Sequence, residues 1–302
     1  MLTVGQERSL SMEINAGSVV RTMKFSANGE YIVSGAYEGV RVIRVDDGKQ
    51  SATLEADYAN SLAVSNNGRW VAAGTSTEVI VWDINTHEKV FVYEERGHVL
   101  NGVDISPDST RLVTEVGNGR VIVWDLATRE PILTLHHERS VSAAKYSPQG
   151  DRIATATYHD SIRIWDAFDG RLLVNVNVKV TPWFNTGLLW FNNHLFVLSD
   201  HAIKRLDAST GLELTEWPVT DVNDFSCIAI PKHGGFIVYS TKHIVTFWDM
   251  LTRARLRRIK HSEFIRSVAL SPDDRLLAIG GDGGKITIKS LSRVTVSSNM
   301  SR

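Results

Sequence analysis

The GGDGGK segment at residues 280–285 is the part of this sequence that comes nearest to a site for chemistry. Clustered glycines followed by lysine are typical of loops that hold a phosphate with backbone N–H groups. Such a loop needs Ser or Thr after the lysine and then a helix, whereas Ile286 and an alternating strand pattern follow here. We therefore predict a tight turn between two strands and no nucleotide site.

Other patterns that would indicate catalysis or metal binding are absent from the sequence. It contains no Gly-x-Ser-x-Gly nucleophile elbow, no His-Glu-x-x-His zinc motif and no calcium-loop spacing. Cys227 is the single cysteine, which excludes a disulfide framework, a cysteine-rich zinc site and a paired redox motif. We expect no catalytic residue, no cofactor and no bound metal, and therefore no enzymatic activity.

The composition is that of a folded, nearly neutral protein. Hydrophobic residues make up 43% of the 302 residues, and 33 Lys and Arg against 34 Asp and Glu leave a formal charge of −1. This balance predicts no specific nucleic-acid partner. No apolar run is long enough for a membrane span, and the start of the chain has no signal-peptide pattern. We expect an intracellular protein, cytoplasmic or nuclear.

A Trp-Asp pair recurs along the chain with a nearly constant period. The tryptophans are Trp82, Trp124, Trp165 and Trp248, and their separations of 42, 41 and 83 residues equal one, one and two periods. Weaker copies place Ile43, Leu206 and Lys289 at the tryptophan position. From residue 43 to residue 289 there are six intervals with a mean of 41 residues, so seven copies are predicted.

A second marker repeats with the same period. A serine followed by turn-forming residues lies after an alternating segment in five copies, at Ser26, Ser65, Ser106, Ser147 and Ser271. These segments have the residue types of tight turns between antiparallel strands.

Together the two markers resemble the WD-repeat β-propeller family, and the resemblance covers roughly residues 8–291. It implies an all-β, seven-bladed β-propeller of four-stranded antiparallel blades, formed by residues 1–302 as a single domain. We name the strands of each blade a to d from the centre outward. The top face is the side that carries the b–c turns and the connections from strand d into the next strand a.

The ends of the repeat array predict how the ring closes. Ile14 lies 12 residues before Ser26, as Leu135 lies 12 residues before Ser147, so residues 9–14 are predicted to form strand d of blade 7. Residues 293–299, within the tail 292–302, are an alternative for that position.

In this family the tryptophan joins a hydrogen-bonded network with a strand-b Ser or Thr, a turn Asp and a His. Blade 3 comes nearest to this network, but Asn replaces the Asp: its residues are His98, Thr114, Asn118 and Trp124. Blade 4 supplies His137, Thr155 and Trp165, but His159 lies where the family has Asp, so no blade is complete. We therefore interpret the histidines and the tryptophans as structural.

The resemblance implies a non-catalytic scaffold that binds a protein or peptide partner on its top face and acts as a monomer. The candidate partner-binding residues are Arg21, Tyr37, Asn101, Tyr158, His159, Trp183, Phe184 and Arg266. For Trp183 and Phe184 an equal alternative is that both rings fill a gap left by Leu206.

Other functions remain open. The ring could bind a small ligand or carbohydrate in its central channel or near Trp183, or it could be the sensor domain of a larger protein. Five basic residues between 252 and 260 fall on strand d of blade 6, where they protect an exposed sheet edge or form a phosphate-binding stripe.

Overall fold

The structure is a computed structural model, and it describes residues 11–95, 102–157, 161–178, 187–199, 202–219 and 225–291. The regular elements in these residues are 28 β-strands. The first is β1 (Ser11–Asn15). Blade 1 contains β2 (Thr22–Phe25), β3 (Tyr31–Ala36), β4 (Gly39–Arg44) and β5 (Gln50–Leu54). Blade 2 contains β6 (Ser61–Val64), β7 (Trp70–Gly74), β8 (Glu78–Asp83) and β9 (Lys89–Glu94).

The remaining strands continue this pattern along the chain. Blade 3 contains β10 (Val103–Ile105), β11 (Arg111–Val116), β12 (Arg120–Asp125) and β13 (Pro131–His136). Blade 4 contains β14 (Val141–Tyr146), β15 (Arg152–Thr157), β16 (Ser161–Asp166) and β17 (Leu172–Asn177). Blade 5 contains β18 (Leu188–Phe191), β19 (His194–Ser199), β20 (Ala202–Asp207) and β21 (Glu213–Pro218). Blade 6 contains β22 (Phe225–Ala229), β23 (Phe236–Thr241), β24 (Ile244–Asp249) and β25 (Arg255–Lys260), and blade 7 contains β26 (Ile265–Leu270), β27 (Leu276–Gly281) and β28 (Lys285–Ser290).

The strands form seven four-stranded antiparallel sheets, which are the blades of a seven-bladed β-propeller. In blades 1 to 6 the four strands pair in chain order. Blade 7 is completed by β1, which pairs with β28 so that Ile14 lies opposite Ile286 and Asn15 opposite Lys285. The predicted fold class is confirmed, and the strand assigned to residues 9–14 is observed at Ser11–Asn15.

The core is divided among the contacts between neighbouring blades. Buried apolar residues of the described chain form seven clusters, and each cluster joins one pair of adjacent blades. Between blades 4 and 5, Ile162 and Ile164 of strand c pack against Leu188, Leu195 and Leu206. Since a single sheet has no apolar layer of its own to cover its faces, each blade depends on both neighbours.

The a–b turns are held by the repeated serine. In all five copies, the serine Oγ accepts a hydrogen bond from the backbone N–H five residues later, at 2.8–3.0 Å. Three residues after the serine, the backbone has a positive φ, for example 74° at Gly29 and 70° at Gly68. Each turn therefore combines a side-chain cap with one left-handed residue, as the sequence pattern predicts.

The aspartate of the Trp-Asp pair has the same kind of role at the c–d turn. The carboxylates of five strand-c residues accept the backbone N–H two residues later at 2.8–2.9 Å, namely Asp83, Asp125, Asp166, Asp207 and Asp249. At Asp166 the backbone N–H groups lower the pKa of the carboxyl, because they favour its charged form. Blade 5 keeps this cap although its tryptophan is replaced by Leu206.

Candidate functional site

Arg21 and Tyr37 are in direct contact on the top face of blade 1. Arg21 precedes β2, and Tyr37 lies in the turn between β3 and β4. The Arg21 Nη1 donates a hydrogen bond of 3.0 Å to the Tyr37 hydroxyl, and its guanidinium carbon lies 5.2 Å from the ring centroid. Tyr58, in the connection to blade 2, packs edge-on against Tyr37 with centroids 4.6 Å apart. Both tyrosines remain exposed, so a guanidinium group and two aromatic rings are grouped on this face.

Arg266 lies at the corresponding place in blade 7, near the start of β26. Its Nε and Nη2 donate to the two carboxylate oxygens of Asp282 at 2.7 and 3.2 Å. The guanidinium carbon also lies 4.6 Å from the centroid of the Phe264 ring. The arginine is thus held in a fixed orientation by a bidentate ion pair and a ring contact. Asp282 also adds an acidic group beside the predicted partner-binding residue Arg266.

The glycine-rich segment forms the b–c turn that positions Asp282. A Cβ on Gly281 would lie 1.8 Å from the carbonyl oxygen of Phe264, so only glycine allows this close backbone approach. Lys285 begins β28 and its Nζ lies 3.6 Å from a carboxylate oxygen of Glu13 on β1. The predicted turn is confirmed, and its lysine contacts the closing strand.

The two arginine clusters belong to adjacent blades. Strands β2 and β26 are neighbours around the central channel, and the Met23 N–H donates to Ser267 Oγ at 3.0 Å. Arg21 and Arg266 therefore lie on neighbouring inner strands at the same end of the channel. We call the surface formed by Arg21, Tyr37, Tyr58, Phe264 and Arg266 the 7–1 surface.

The other predicted partner-binding residues stay predictions. Asn101, Tyr158, His159, Trp183 and Phe184 lie outside the described residues.

Sequence reasoning missed Tyr58, Phe264 and Asp282. Tyr58 and Phe264 occupy irregular connections, where neither marker of the repeat assigns a direction to the side chain. Asp282 lies in the predicted b–c turn of blade 7. The signal that could have identified it is that the repeat pattern places this acidic residue beside Arg266 on the inner strand.

The blade 4 histidine forms a structural network. The Trp165 indole N–H donates to Thr155 Oγ1 at 2.9 Å, and His137 Nε2 lies 2.8 Å from the same oxygen. His137 Nδ1 lies 3.2 Å from the Gly119 carbonyl, to which it donates as the neutral tautomer. Burial lowers the pKa of His137 to about 4, so the ring is neutral at physiological pH. These contacts agree with the interpretation of this histidine and tryptophan as structural residues.

The described residues show neither a group of potential metal ligands nor a membrane-spanning helix. No three His, Cys, Asp or Glu side chains among the described residues are grouped so that they could hold a metal ion. The described part of the chain also contains no helix long and apolar enough to cross a membrane.

Comparison with known proteins places the chain among repeat proteins. The sequence pattern described as "WD domain, G-beta repeat" matches residues 48–83, 89–125, 129–166 and 254–288. The chain is 22% identical over 296 residues to Transcription factor unc-37 of Caenorhabditis elegans, covering 92% of this chain and 48% of that protein. It is 24% identical over 302 residues to Autophagy-related protein 16 of Arabidopsis thaliana, covering 89% and 57%.

A third relative shows the same relation. The chain is 23% identical over 297 residues to Protein groucho of Drosophila melanogaster, covering 91% of this chain and 39% of that protein. The chain therefore spans between 39% and 57% of the length of these three relatives.

Proposed function

Because the chain belongs to the WD-repeat β-propeller family, we propose that it is a non-catalytic scaffold that binds a protein or peptide on its top face. The observation that carries this proposal is the 7–1 surface. There, two arginines and three aromatic rings lie on adjacent blades and are held by contacts within the ring. Arginine and aromatic side chains are the types most enriched among residues that dominate binding energy.

The arrangement suits recognition because little ordering is needed when a partner binds. Arg266 is already oriented by Asp282, and Arg21 by Tyr37. Side chains fixed in the free protein lose less conformational entropy on association. The salt bridge between Arg266 and Asp282 is partly exposed, so an acidic group of a partner can compete with Asp282 for Arg266. We infer an intracellular, cytoplasmic or nuclear location, which agrees with the single cysteine and with relatives named as transcription and autophagy factors.

The proposal is tested by the double substitution Arg21→Ala with Arg266→Ala. Proteins captured by the wild-type ring and by the variant are compared by quantitative mass spectrometry, and the strongest lost partner is then titrated by calorimetry. We expect its affinity to fall by about 2 kcal/mol or more, the cost of truncating a binding hot spot. The melting temperature should stay nearly unchanged, since both arginines lie at the surface.

The matched control is Arg255→Ala with Arg257→Ala on β25, the outer strand of blade 6. This control removes the same charge from an exposed strand on the circumference of the ring. Retained partner binding in the control supports the top face. If the control variant lost the partner while the Arg21 and Arg266 variant bound it fully, binding would instead be assigned to the basic outer edge of blade 6.

A further inference from the structure

The central channel contains a cavity that opens away from the 7–1 surface. It has a volume of about 580 Å³ and lies where the inner strands run into the a–b turns. Polar and apolar groups contribute about equally to its wall, and Lys24 and Lys232 carry the charge. The side chains that the argument uses are Lys24, Phe25, Trp190, Ile228, Val268 and Leu270.

Lys24 of β2 is the group that gives this cavity its electrostatic character. Within the described part of the chain, no carboxylate oxygen lies at ion-pair distance from its Nζ, and no hydrogen bond to this nitrogen is present. Its side chain is accessible to the water of the channel but is surrounded by protein. Burial, followed by the nearby charge of Lys145, lowers the pKa of Lys24 to about 8.

The neighbouring charges leave one ammonium uncompensated inside the channel. Lys145 Nζ lies 3.6 Å from an Asp104 carboxylate oxygen and donates to the Val103 carbonyl at 3.2 Å, so its own charge is matched. Asp104 raises the pKa of Lys24, but this effect is smaller than the lowering caused by burial and by Lys145. Lys24 and Lys145 therefore share one carboxylate, so these three groups have a net charge of +1 at neutral pH, and the exposed Lys232 adds a further cation to the cavity wall.

Trp190 of β18 provides a flat apolar wall for the same space. Its indole N–H donates to the Lys145 carbonyl oxygen at 3.1 Å, which fixes the ring beside the charged pair. The half-buried ring borders both the 580 Å³ cavity and an adjoining cavity of about 310 Å³ that includes Asp104 and Lys145. Mixed apolar walls with a few fixed polar groups are typical of small-molecule sites of this size.

We propose that the channel binds a small organic monoanion, with its carboxylate or sulfonate at Lys24 and a flat apolar body against Trp190, Ile228 and Val268. The Lys24 ammonium, which is left after Lys145 and Asp104 are paired, favours an anion, and Lys232 adds to the positive charge of the wall. The apolar part of the wall favours a hydrophobic body, since burying such a body removes apolar surface from water.

The ligand enters from the side of the a–b turns. On the side of Lys24 that is nearer the 7–1 surface, the channel contains a smaller cavity of about 40 Å³ bordered by Thr22, Asn60 and Ser267. The 580 Å³ cavity is large enough for a molecule of naphthalene size, and the 40 Å³ cavity is too small for one. The site is thus separate from the 7–1 surface, and either can fail its test without affecting the other.

The test uses 2-naphthoate, an aromatic monocarboxylate, and its uncharged analogue 2-naphthamide, titrated by calorimetry at pH 7. We expect saturable 1:1 binding of the naphthoate and at least about tenfold weaker binding of the amide, because the amide lacks the charged contact. Lys24→Met should weaken the naphthoate by at least about tenfold, whereas Lys24→Arg, which keeps the charge, should retain most of the affinity.

Lys89→Met, on the outer strand β9, is the matched control and should bind the naphthoate like the wild type. Affinity should also fall between pH 7 and pH 9.5, as the Lys24 ammonium loses its proton. The groups that face it are Lys145, Asp104 and Cys227, and burial raises the pKa of this thiol to about 11, so it stays neutral over that range. Equal binding of acid and amide, wild-type affinity in Lys24→Met, or no naphthoate binding would overturn the proposal.

Discussion

At the scale of single residues, Glu115 is a buried carboxyl that the repeat pattern does not require. It lies near the end of β11, its side chain is 4% exposed, and among the described residues its Oε2 has no hydrogen-bond partner. A Cβ on Gly102 would lie 2.4 Å from this oxygen, so the carboxyl occupies the space that this glycine leaves. Burial raises the pKa of Glu115 well above its ordinary value, and the charge of Lys145 opposes that shift only in part.

This environment predicts that Glu115→Gln stabilises the ring at neutral pH. The folded pKa is raised, so between the ordinary value near 4.5 and the higher folded value the folded state binds the extra proton, and stability falls as pH rises. Glutamine has nearly the same shape and no charge to bury. We expect a gain of about 1–3 kcal/mol at pH 8 and almost none at pH 4, measured by urea unfolding. A variant that is less stable than the wild type at pH 8 would show that the ionised carboxylate is needed.

At the scale of the elements, the inner strands show how backbone N–H groups at the free edge of a blade obtain hydrogen-bond partners. Strand a has a partner on one side only, so part of its backbone faces the neighbouring blade. The Val103 N–H donates to Ser61 Oγ at 3.2 Å, and the Val268 N–H donates to Cys227 Sγ at 3.0 Å. Together with Ser267, which accepts from Met23, these residues link adjacent blades around the channel. The lone cysteine therefore has a structural role, as a thiol in a position that serine fills elsewhere.

Most of the strands and turns were predictable from the sequence, and the contacts that were not predictable have a common cause. Serine turns and Trp-Asp pairs recur because each depends on contacts within a few residues, such as Ser26 with Tyr31. The roles of Tyr58, Lys24 and Cys227 depend on residues of other blades. Contacts of that kind follow from the ring as a whole and leave no periodic signal in the chain. Leu206 shows the same limit, since it is buried among blade 4 side chains at the position where four other blades have tryptophan.

The c–d turns offer a matched comparison between blades. Each requires one left-handed residue, which is Gly170 in blade 4 with φ of 73° and Arg129 in blade 3 with φ of 67°. Left-handed backbone costs about 1–2 kcal/mol for a residue with a side chain, while glycine adopts it freely. We expect Gly170→Ala to lower the free energy of unfolding by about 1–2 kcal/mol, because its Cβ would also lie 3.3 Å from Leu135.

The reciprocal change, Arg129→Gly, should leave stability unchanged or raise it by up to about 1 kcal/mol, since relief of the left-handed strain offsets the added freedom of the unfolded chain. Chemical unfolding of both variants beside the wild type measures the difference. A larger loss for Arg129→Gly than for Gly170→Ala would mean that the arginine side chain, and not the backbone conformation, stabilises its turn.

At the scale of the whole molecule, stability depends on ring closure, because the core consists of contacts between blades. Closure is made by β1, in which Ile14 is buried between Ile286 and blade 1, and Glu13 faces Lys285. Removal of this strand would expose the β28 edge and the apolar cluster between blades 7 and 1. Each fully buried Ile or Met side chain contributes about 1.5–3 kcal/mol relative to exposure.

Deletion of residues 1–15 should therefore lower the melting temperature by at least about 5 °C, since the loss of Ile14 and part of Met12 amounts to roughly 3 kcal/mol. Deletion of residues 293–302 is the matched control, because it removes the segment that competes for the same edge in the sequence pattern while β1 stays paired with β28. We expect the control to unfold at nearly the wild-type temperature in calorimetric scans. The opposite ranking of the two deletions would mean that the C-terminal segment closes the ring in solution and that the pairing of Ile14 with Ile286 contributes little to it.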